Sequence, residues 1–242
     1  MESKSNVTSI NANGLKLIAI VAMTIDHVTW ILLPLESAAT EILHMIGRLA
    51  FPIMAYFIVE GYHHTKNIKK YLARLLILAA ISHFAYAFCF NHPYFFDFSK
   101  GIVDTTSVLW GLSFGLLSLI IYHSKRFSNW LKALLIVLCI IASIPSDWSW
   151  VCVALPLVMD MNYGNFKKQM IWMVVIGWCY AFVYCFLTSW WSVYQFAIII
   201  VAPVLYLYNG QRGKLKGMKW FFYIYYPLHL AVLGIIRAVM KA

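Results

Sequence analysis

The 242-residue chain contains 62% hydrophobic and 12% charged residues and has a net charge of +10. Soluble domains use about 45–50% apolar and about 25% charged residues, so a water-soluble monomer is excluded. The same composition excludes intrinsic disorder, and 12 Gly, 7 Pro and 5 Cys exclude collagen-like and disulfide-stapled classes. The predicted surroundings are therefore a lipid bilayer. No nucleic-acid partner is expected, because membrane proteins collect basic residues in their cytoplasmic loops.

Apolar runs between polar breaks predict the membrane spans, since a spanning helix needs about 20 mostly apolar residues. The sixth run is the weakest, because it is short and contains Pro156. The fold class predicted is all-α, a polytopic transmembrane helix bundle of about nine spans that forms one domain over residues 1–242. The runs are Leu15–Leu35, Ile42–Tyr62, Tyr71–Phe90, Thr106–His123, Trp130–Pro145, Trp148–Met159, Met170–Leu187, Trp190–Tyr208 and Trp220–Val239.

The basic residues predict how this bundle lies in the membrane. With the amino terminus inside and the carboxyl terminus outside, fifteen Lys and Arg residues face the cytoplasm and three face the other side. The positive-inside rule favours that orientation. The inside set is Lys4, Lys16, Lys66, Lys69, Lys70, Arg74, Lys125, Arg126, Lys132, Lys167, Lys168, Arg212, Lys214, Lys216 and Lys219, and the outside set is Lys100, Arg237 and Lys241.

Five ionisable residues are predicted inside lipid at a similar depth, where each costs at least a few kcal/mol and is a functional candidate. Asp26 and His27 are consecutive and point about 100° apart on a helix, so Arg48 is the predicted partner of Asp26. The alternative is an ion pair that only fixes packing, with each His bonded to a neighbouring carbonyl. Five ionisable side chains at one membrane depth favour a functional site, because Ser or Thr could make the polar packing contacts between helices instead. The five are Asp26, His27, Arg48, His83 and His229.

Histidines and basic residues also cluster at the predicted cytoplasmic end of the second and third spans. Some of these charges are expected to set the orientation of the chain in the membrane. Others match what binding of a phosphate-bearing donor would need. No metal site is expected, because His63 and His64 are adjacent and cannot share one helical face. The predicted donor-binding residues are Lys16, Lys66, Lys69, Lys70, Arg74, His63 and His64.

Several stretches together resemble one family of membrane proteins. They are LKLIAIVAMTIDHVTW at 15–30, IGRLAFPIMAYFIVEGYHHT at 46–65, KNIKKYLARLL at 66–76 and FFYIYYPLHLAVLGIIR at 221–237. Their combination of an Asp-His pair, a Gly-Arg pair before Phe-Pro and a late His resembles the TraX family, named for the acetylase of conjugative F pilin. The resemblance covers both ends of the chain, and residues 94–217 contribute only hydrophobicity. The spacing from Lys16 to His27 is also similar to that of transmembrane acyltransferases that acetylate surface glycans, although their Arg-x-x-Arg element is missing.

The resemblance implies an integral membrane acetyltransferase, an acyltransferase of the bacterial cytoplasmic membrane. It implies acetyl-CoA as the donor, no metal, and a peptide amino terminus or a surface glycan as the acceptor. His27 is the predicted general base, because neutral imidazole accepts a proton near neutral pH. Arg48, held by Asp26, is expected to stabilise the oxyanion or position the acceptor. His229 is expected to assist as a second acid-base group, and His83 completes the predicted catalytic set.

Two other functions stay open. A proton-coupled transporter or flippase would use the same buried layer as a relay. Such proteins typically have inverted repeats and interrupted helices in matching halves, which the sequence does not display. A scaffold in a secretion assembly would not need the buried charges.

Four tryptophans are predicted to lie at the membrane interface. Trp and Tyr gather at bilayer interfaces because their rings are amphipathic. Trp148, Trp150, Trp190 and Trp191 are therefore expected to anchor the outer surface rather than to stack on a sugar. The acceptor stays open among a peptide amine, a polysaccharide hydroxyl and a lipid-linked sugar.

Overall fold

The computed structural model describes residues 10–34, 37–94, 105–214 and 217–240, with the side chains of Trp190 and Lys219 outside the description. Within these ranges the regular structure is helical, apart from two isolated bridges between single residues. The predicted all-α helix bundle is confirmed. The helices are α1 (Ala12–Leu32), α2 (Ala38–Gly47), α3 (Ala50–His64), α4 (Ile68–Phe90), α5 (Val108–Tyr122), α6 (Asn129–Ser143), α7 (Val151–Met161), α8 (Phe166–Leu187), a 3₁₀ helix (Trp190–Ile200), α9 (Val201–Tyr206) and α10 (Met218–Met240).

Among the described residues, five helical stretches are long and apolar enough to cross a membrane, and four shorter apolar helices accompany them. Each predicted span therefore contains a helix. The sixth is α7, which has only 11 residues with Pro156 inside it. The eighth consists of the 3₁₀ helix and the six-residue α9. The inside-outside orientation stays a prediction, and five residues used for the span and orientation predictions lie outside the described part: Lys4, Leu35, Lys100, Lys216 and Lys241.

Large apolar side chains cover much of the outer surface of the bundle. Ile77, Phe182 and Val239 are 61%, 65% and 71% exposed. By contrast, the ionisable Asp26 and Arg48 are buried. This inversion of the pattern of soluble proteins fits a chain whose outer surface contacts lipid. The protein is an integral membrane protein.

Asparagine side chains fix where several helices begin. Asn11, Asn67 and Asn165 each accept the backbone N–H of the residue three positions later, at 3.1, 2.9 and 3.1 Å. These bonds satisfy donors that the first turn of a helix leaves unpaired. The positions of the asparagines in the polar breaks thus set the starts of α1, α4 and α8.

The second predicted span is broken at Arg48 and Leu49, where α2 ends and α3 begins. The backbone N–H of Arg48 still donates to the carbonyl of His44 at 3.1 Å. Pro52 lies in the first turn of α3, where its missing N–H costs little. Because α2 and α3 together extend over 27 residues, the broken element is long enough to cross a bilayer.

The first and last parts of the chain lie side by side. Helix α10 packs against both α1 and α4. The N–H of Ile10 donates to the carbonyl of Leu207 at 2.9 Å, and the N–H of Asn209 donates to the carbonyl of Ile10 at 3.0 Å. The start of α1 is thereby tied to the segment that leads towards α10, which helps set the relative height of these two helices.

Candidate active site

A buried ion pair joins α1 to the break between α2 and α3. Nη2 of Arg48 donates to Oδ2 of Asp26 at 2.8 Å, so the predicted pairing of these residues is present. Nδ1 of His44 donates to Oδ1 of Asp26, also at 2.8 Å. Both carboxylate oxygens therefore have a donor, which matters because an unpaired carboxylate is costly at membrane depth.

Gly47 provides the space for this pair. A Cβ atom on Gly47 would lie only 2.3 Å from Oδ1 of Asp26. No side chain fits there without displacing the carboxylate. The Gly-Arg pair in the sequence thus has a geometric reason: Gly47 lets α2 approach α1, and Arg48 then reaches Asp26.

The guanidinium of Arg48 lies between two aromatic rings. Its Cζ atom is 4.8 Å from the ring centroid of Trp148 and 5.1 Å from that of Tyr194. Nη1 donates to Oε1 of Gln195 at 3.1 Å, and Nε donates to the carbonyl of His44 at 3.3 Å. Three of the five N–H groups of an arginine are thus used, counting the ion pair. As far as the described contacts show, two are left for a ligand.

The interfacial role predicted for Trp148 is wrong. Its side chain is only 5% exposed and stacks on Phe51 and Tyr180, with ring centroids 4.5 and 5.5 Å apart. Its φ of 67° is unfavourable for a bulky residue and costs of order 1–3 kcal/mol. The surrounding contacts hold this strained turn, which directs the ring onto Arg48 instead of towards the interface. Trp191 is 42% exposed and fits the interfacial prediction better.

Two histidines from the first and last helices form a directed hydrogen-bond chain. Nδ1 of His229 lies 3.0 Å from the carbonyl oxygen of Tyr225, which can only accept, so this Nδ1 carries the hydrogen. In the neutral ring Nε2 of His229 is then an acceptor. It lies 2.8 Å from Nδ1 of His27, which therefore donates. This tautomer leaves Nε2 of neutral His27 with a lone pair, the form that a general base requires.

Two cavities meet at Asp26 and His27. The small cavity has a volume of about 40 Å³, and Met23 and Met54 lie in its wall towards the start of α1. The large cavity has a volume of about 220 Å³ and lies towards the end of α1. Asp26, His27 and Asp147 contribute to both walls. The lining of the large cavity further includes Trp30, Arg48, Tyr86, Phe90, His92, Tyr180, Tyr184, Tyr194 and Gln195.

His92 adds a neutral imidazole to the large cavity. It follows the end of α4, whose C-cap residue Asn91 adopts a left-handed conformation with a φ of 60°. Burial, and after it the charge of Arg237, lowers the pKa of His92. The ring is therefore uncharged at neutral pH and can either donate or accept a hydrogen bond.

His83 lies within α4 and contacts residues of the connection between α4 and α5. Its Nδ1 is 2.9 Å from Oγ1 of Thr106, and its Nε2 is 2.8 Å from the carbonyl oxygen of Tyr94. Of the five residues predicted for one layer, the structure brings Asp26 and Arg48 together in the ion pair and His27 and His229 together in the hydrogen-bond chain. The contacts of His83 give it a place beside the connection that enters α5.

The predicted donor-binding residues lie at one end of the bundle, where α1 begins and α3 ends, and we call this the basic end. Nζ of Lys16 lies 4.9 Å from the ring centroid of Phe57. His64 is exposed, and its Nδ1 is 2.9 Å from the carbonyl oxygen of Glu60. His63 instead contacts Asp160. Lys66, Lys69 and Lys70 are exposed, and Arg74 is half-buried.

Several polar residues of this site are absent from the sequence-based prediction, and His92 is one of them. His44 lies four residues before Arg48, a spacing that puts two side chains on one helical face and could have identified it. Gln195 is the single amide in the predicted eighth span, and it is buried. Asp147 lies in a loop in the sequence, and only the fold places it between the cavities.

Comparisons with known proteins identify relatives of the chain. The family model described as "TraX protein" matches residues 11–237, so the similarity also covers the middle of the chain. A relative from Dichelobacter nodosus, "Probable fimbrial assembly protein FimC, serogroup H1", is 32% identical over 231 residues, which are 92% of this chain and 94% of the relative. No solved structure matches the chain. The chain belongs to the TraX family.

Proposed function

We propose that this protein is an integral membrane acetyltransferase of the bacterial cytoplasmic membrane, which moves an acetyl group from acetyl-CoA to an amine or hydroxyl. The observation that carries the proposal is the orientation of His27. Its Nδ1 is bonded to His229, and the ring contributes to both cavities, so its basic Nε2 belongs to the site where a donor and an acceptor would meet. Membership of the TraX family supports the same function.

In the proposed reaction, Nε2 of His27 removes a proton from the acceptor while the acceptor nitrogen or oxygen attacks the thioester carbon. The carbonyl oxygen becomes an oxyanion, and an N–H group of Arg48 stabilises it. When the intermediate collapses, the C–S bond breaks and the proton on His27 passes to the leaving thiolate. The products are the acetylated acceptor and CoA, and His27 returns to its neutral form.

The donor is proposed to enter from the basic end. Lys16, Lys66, Lys69, Lys70 and Arg74 would contact its phosphates, with His63 and His64 near them. The small cavity of about 40 Å³ is too narrow for a pantetheine arm and must widen. Met23 and Met54 are suited to this change, because unbranched methionine side chains rearrange easily.

The acceptor is proposed to occupy the large cavity. Its aromatic wall suits either an extended peptide or a sugar ring, and Asp147 and His92 offer polar contacts. The name of the Dichelobacter nodosus relative refers to fimbrial assembly, which favours a peptide amino terminus of a surface fibre over a surface glycan.

The two cavities on either side of the buried layer also favour a second candidate, a proton-coupled transporter or flippase. The two functions differ in one measurable respect. A transporter moves its substrate without forming CoA, whereas an acetyltransferase forms one CoA for each acetyl group transferred.

The experiment uses purified full-length protein in lipid nanodiscs with acetyl-labelled acetyl-CoA, a peptide with a free amino terminus, and a surface glycan extract. We expect CoA release with label in one acceptor, loss of both in His27→Gln, and full activity in Lys125→Ala, which changes an exposed residue outside the proposed donor site. Unchanged activity in His27→Gln would remove its proposed role. No CoA release and no label transfer by folded wild-type protein would favour the transporter.

A further inference from the structure

Three side chains from three helices converge at the basic end, away from His27. Nε2 of His63 lies 2.7 Å from Oδ1 of Asp160, and Nε2 of His123 lies 2.6 Å from Oδ2 of the same carboxylate. The three candidate ligand atoms all lie within 4.8 Å of one another. We call these residues the His-Asp-His cluster. Adjacent His63 and His64 cannot share one helical face, but the fold brings His63 together with His123.

The carboxylate of Asp160 lacks a cationic partner in the described part of the chain. Its side chain is fully buried, and its ion-pair partners there are the two imidazoles, which are charged only when protonated. A buried carboxylate without a cation is costly, since removal from water disfavours its charge. The cluster therefore needs positive charge, which either a protonated imidazole or a bound cation can supply.

Helix ends add to the negative potential at the cluster. His63 lies in the last turn of α3, His123 is the C-cap residue of α5, and Asp160 lies in the last turn of α7. The carboxyl-terminal end of a helix carries roughly half a negative charge. Three such ends and one carboxylate favour a multivalent cation.

The imidazole rings of the cluster are already oriented to bind a cation. His63 stacks on Tyr163 with ring centroids 3.7 Å apart, and His123 stacks on Tyr62 at 5.1 Å. Both rings turn the same atom, Nε2, towards the carboxylate. Their side chains are 25% and 39% exposed, so an ion can arrive from water and the rings can shift towards it.

We propose that the His-Asp-His cluster binds one divalent transition-metal ion of the zinc class. Two imidazole nitrogens and one carboxylate are typical zinc ligands, at about 2.0–2.2 Å, and three protein ligands leave a fourth position for water. The bound ion joins the ends of α3, α5 and α7, and it neutralises Asp160. Zinc binding here does not require the acetyl transfer proposed above, although His63 also lies near the proposed donor phosphates.

The test uses full-length protein in detergent, treated with a chelator and then titrated with zinc alone. We expect one equivalent of bound zinc and a higher melting temperature that the chelator reverses. In His123→Gln and in Asp160→Asn, apparent zinc affinity should fall by more than the roughly 10–100-fold that loss of an outer-shell partner costs. His64→Gln is the matched control, since it removes an exposed histidine next to His63, and it should bind zinc like the wild type.

Cobalt gives a second readout, because its visible absorption depends on the ligands. A cobalt spectrum present in wild type and in His64→Gln but absent in His123→Gln supports the site even if Asp160→Asn does not fold. Folded wild-type protein without stoichiometric zinc overturns the proposal. Equal zinc affinity in wild type and His123→Gln also overturns it, and so does a melting temperature that responds to pH but not to zinc.

Discussion

His27 and His229, which are 202 positions apart in the chain, are joined by a direct hydrogen bond of 2.8 Å between Nδ1 and Nε2. Their ring planes differ by only 5°. Helices α1 and α10 therefore meet through two imidazoles, and the carbonyl of Tyr225 fixes the direction of the bond. In the proposed mechanism His229 is a positioning residue, because it contacts His27 and would act through it.

Replacing His229 tests that role. We expect His229→Ala to lower kcat for acetyl transfer by about 100-fold, towards the lower part of the range for general acid-base catalysis, because His27 loses its fixed tautomer. His229→Gln should recover part of the activity, since its amide oxygen can accept the N–H of His27. The measurement is steady-state CoA release across pH. Equal losses in the two variants would show that the ring matters only for packing.

Gly47→Ala tests the close contact between α2 and α1. The added Cβ would meet Oδ1 of Asp26 at 2.3 Å, so the carboxylate must move away from Arg48 or His44. We expect a loss of about 1–3 kcal/mol in stability, as for other overpacked sites. Melting temperature in detergent provides the measurement. Ile46→Ala changes a neighbour that is 38% exposed and should have a much smaller effect.

The contributions of the Asp26–Arg48 ion pair to stability and to activity can be measured separately. Arg48→Gln leaves the carboxylate without its cation and should cost about 3–5 kcal/mol, as does breaking other buried pairs. The double variant Asp26→Asn with Arg48→Gln removes both charges and should regain part of that stability while staying inactive. Thermal unfolding and CoA release measure the two effects. An active double variant would assign the pair to packing alone.

Lys69→Ala combined with Lys70→Ala tests donor binding at the basic end. Both residues are exposed at the start of α4. Charge-assisted phosphate contacts contribute roughly 1.5–3 kcal/mol each, so KM for acetyl-CoA should rise about tenfold or more. The change in kcat should be smaller, which is the pattern of lost ground-state binding.

The control for that variant is Lys125→Ala combined with Arg126→Ala. These residues are predicted on the same side of the membrane but lie after α5. We expect normal KM and normal topology in the control. Unchanged donor affinity in the lysine double variant would mean that its charges serve orientation only, and donor binding would then be sought beside Arg212 and Lys214.

Length and hydropathy predicted the helices well because each span must satisfy its backbone hydrogen bonds internally. The pairing of Asp26 with Arg48 was also predictable, since two opposite charges buried at one depth stabilise each other. The break at Arg48 and Leu49 was not, because both flanking segments are apolar and periodic. It becomes understandable only from the contact between Gly47 and Asp26.

The remaining contacts depend on how the helices are arranged. His83 was predicted at the depth of the layer, but depth does not fix direction around a helix axis, and its ring contacts Thr106 and Tyr94. Trp148 lies among residues typical of an interface, yet its turn directs it inwards. His63, His123 and Asp160 are separated by tens of residues, so no local spacing could show that they meet.

The hydrogen bonds between Ile10 and residues 207 and 209 bear on the order of biogenesis. During synthesis the start of α1 leaves the ribosome long before residue 209 exists, so it must wait for its partner while the intervening helices insert. His27 likewise acquires the hydrogen bond that sets its tautomer only when α10 arrives. A nascent or truncated chain without α10 thus lacks this hydrogen bond, and the proposed catalytic site is completed only when the last helix inserts.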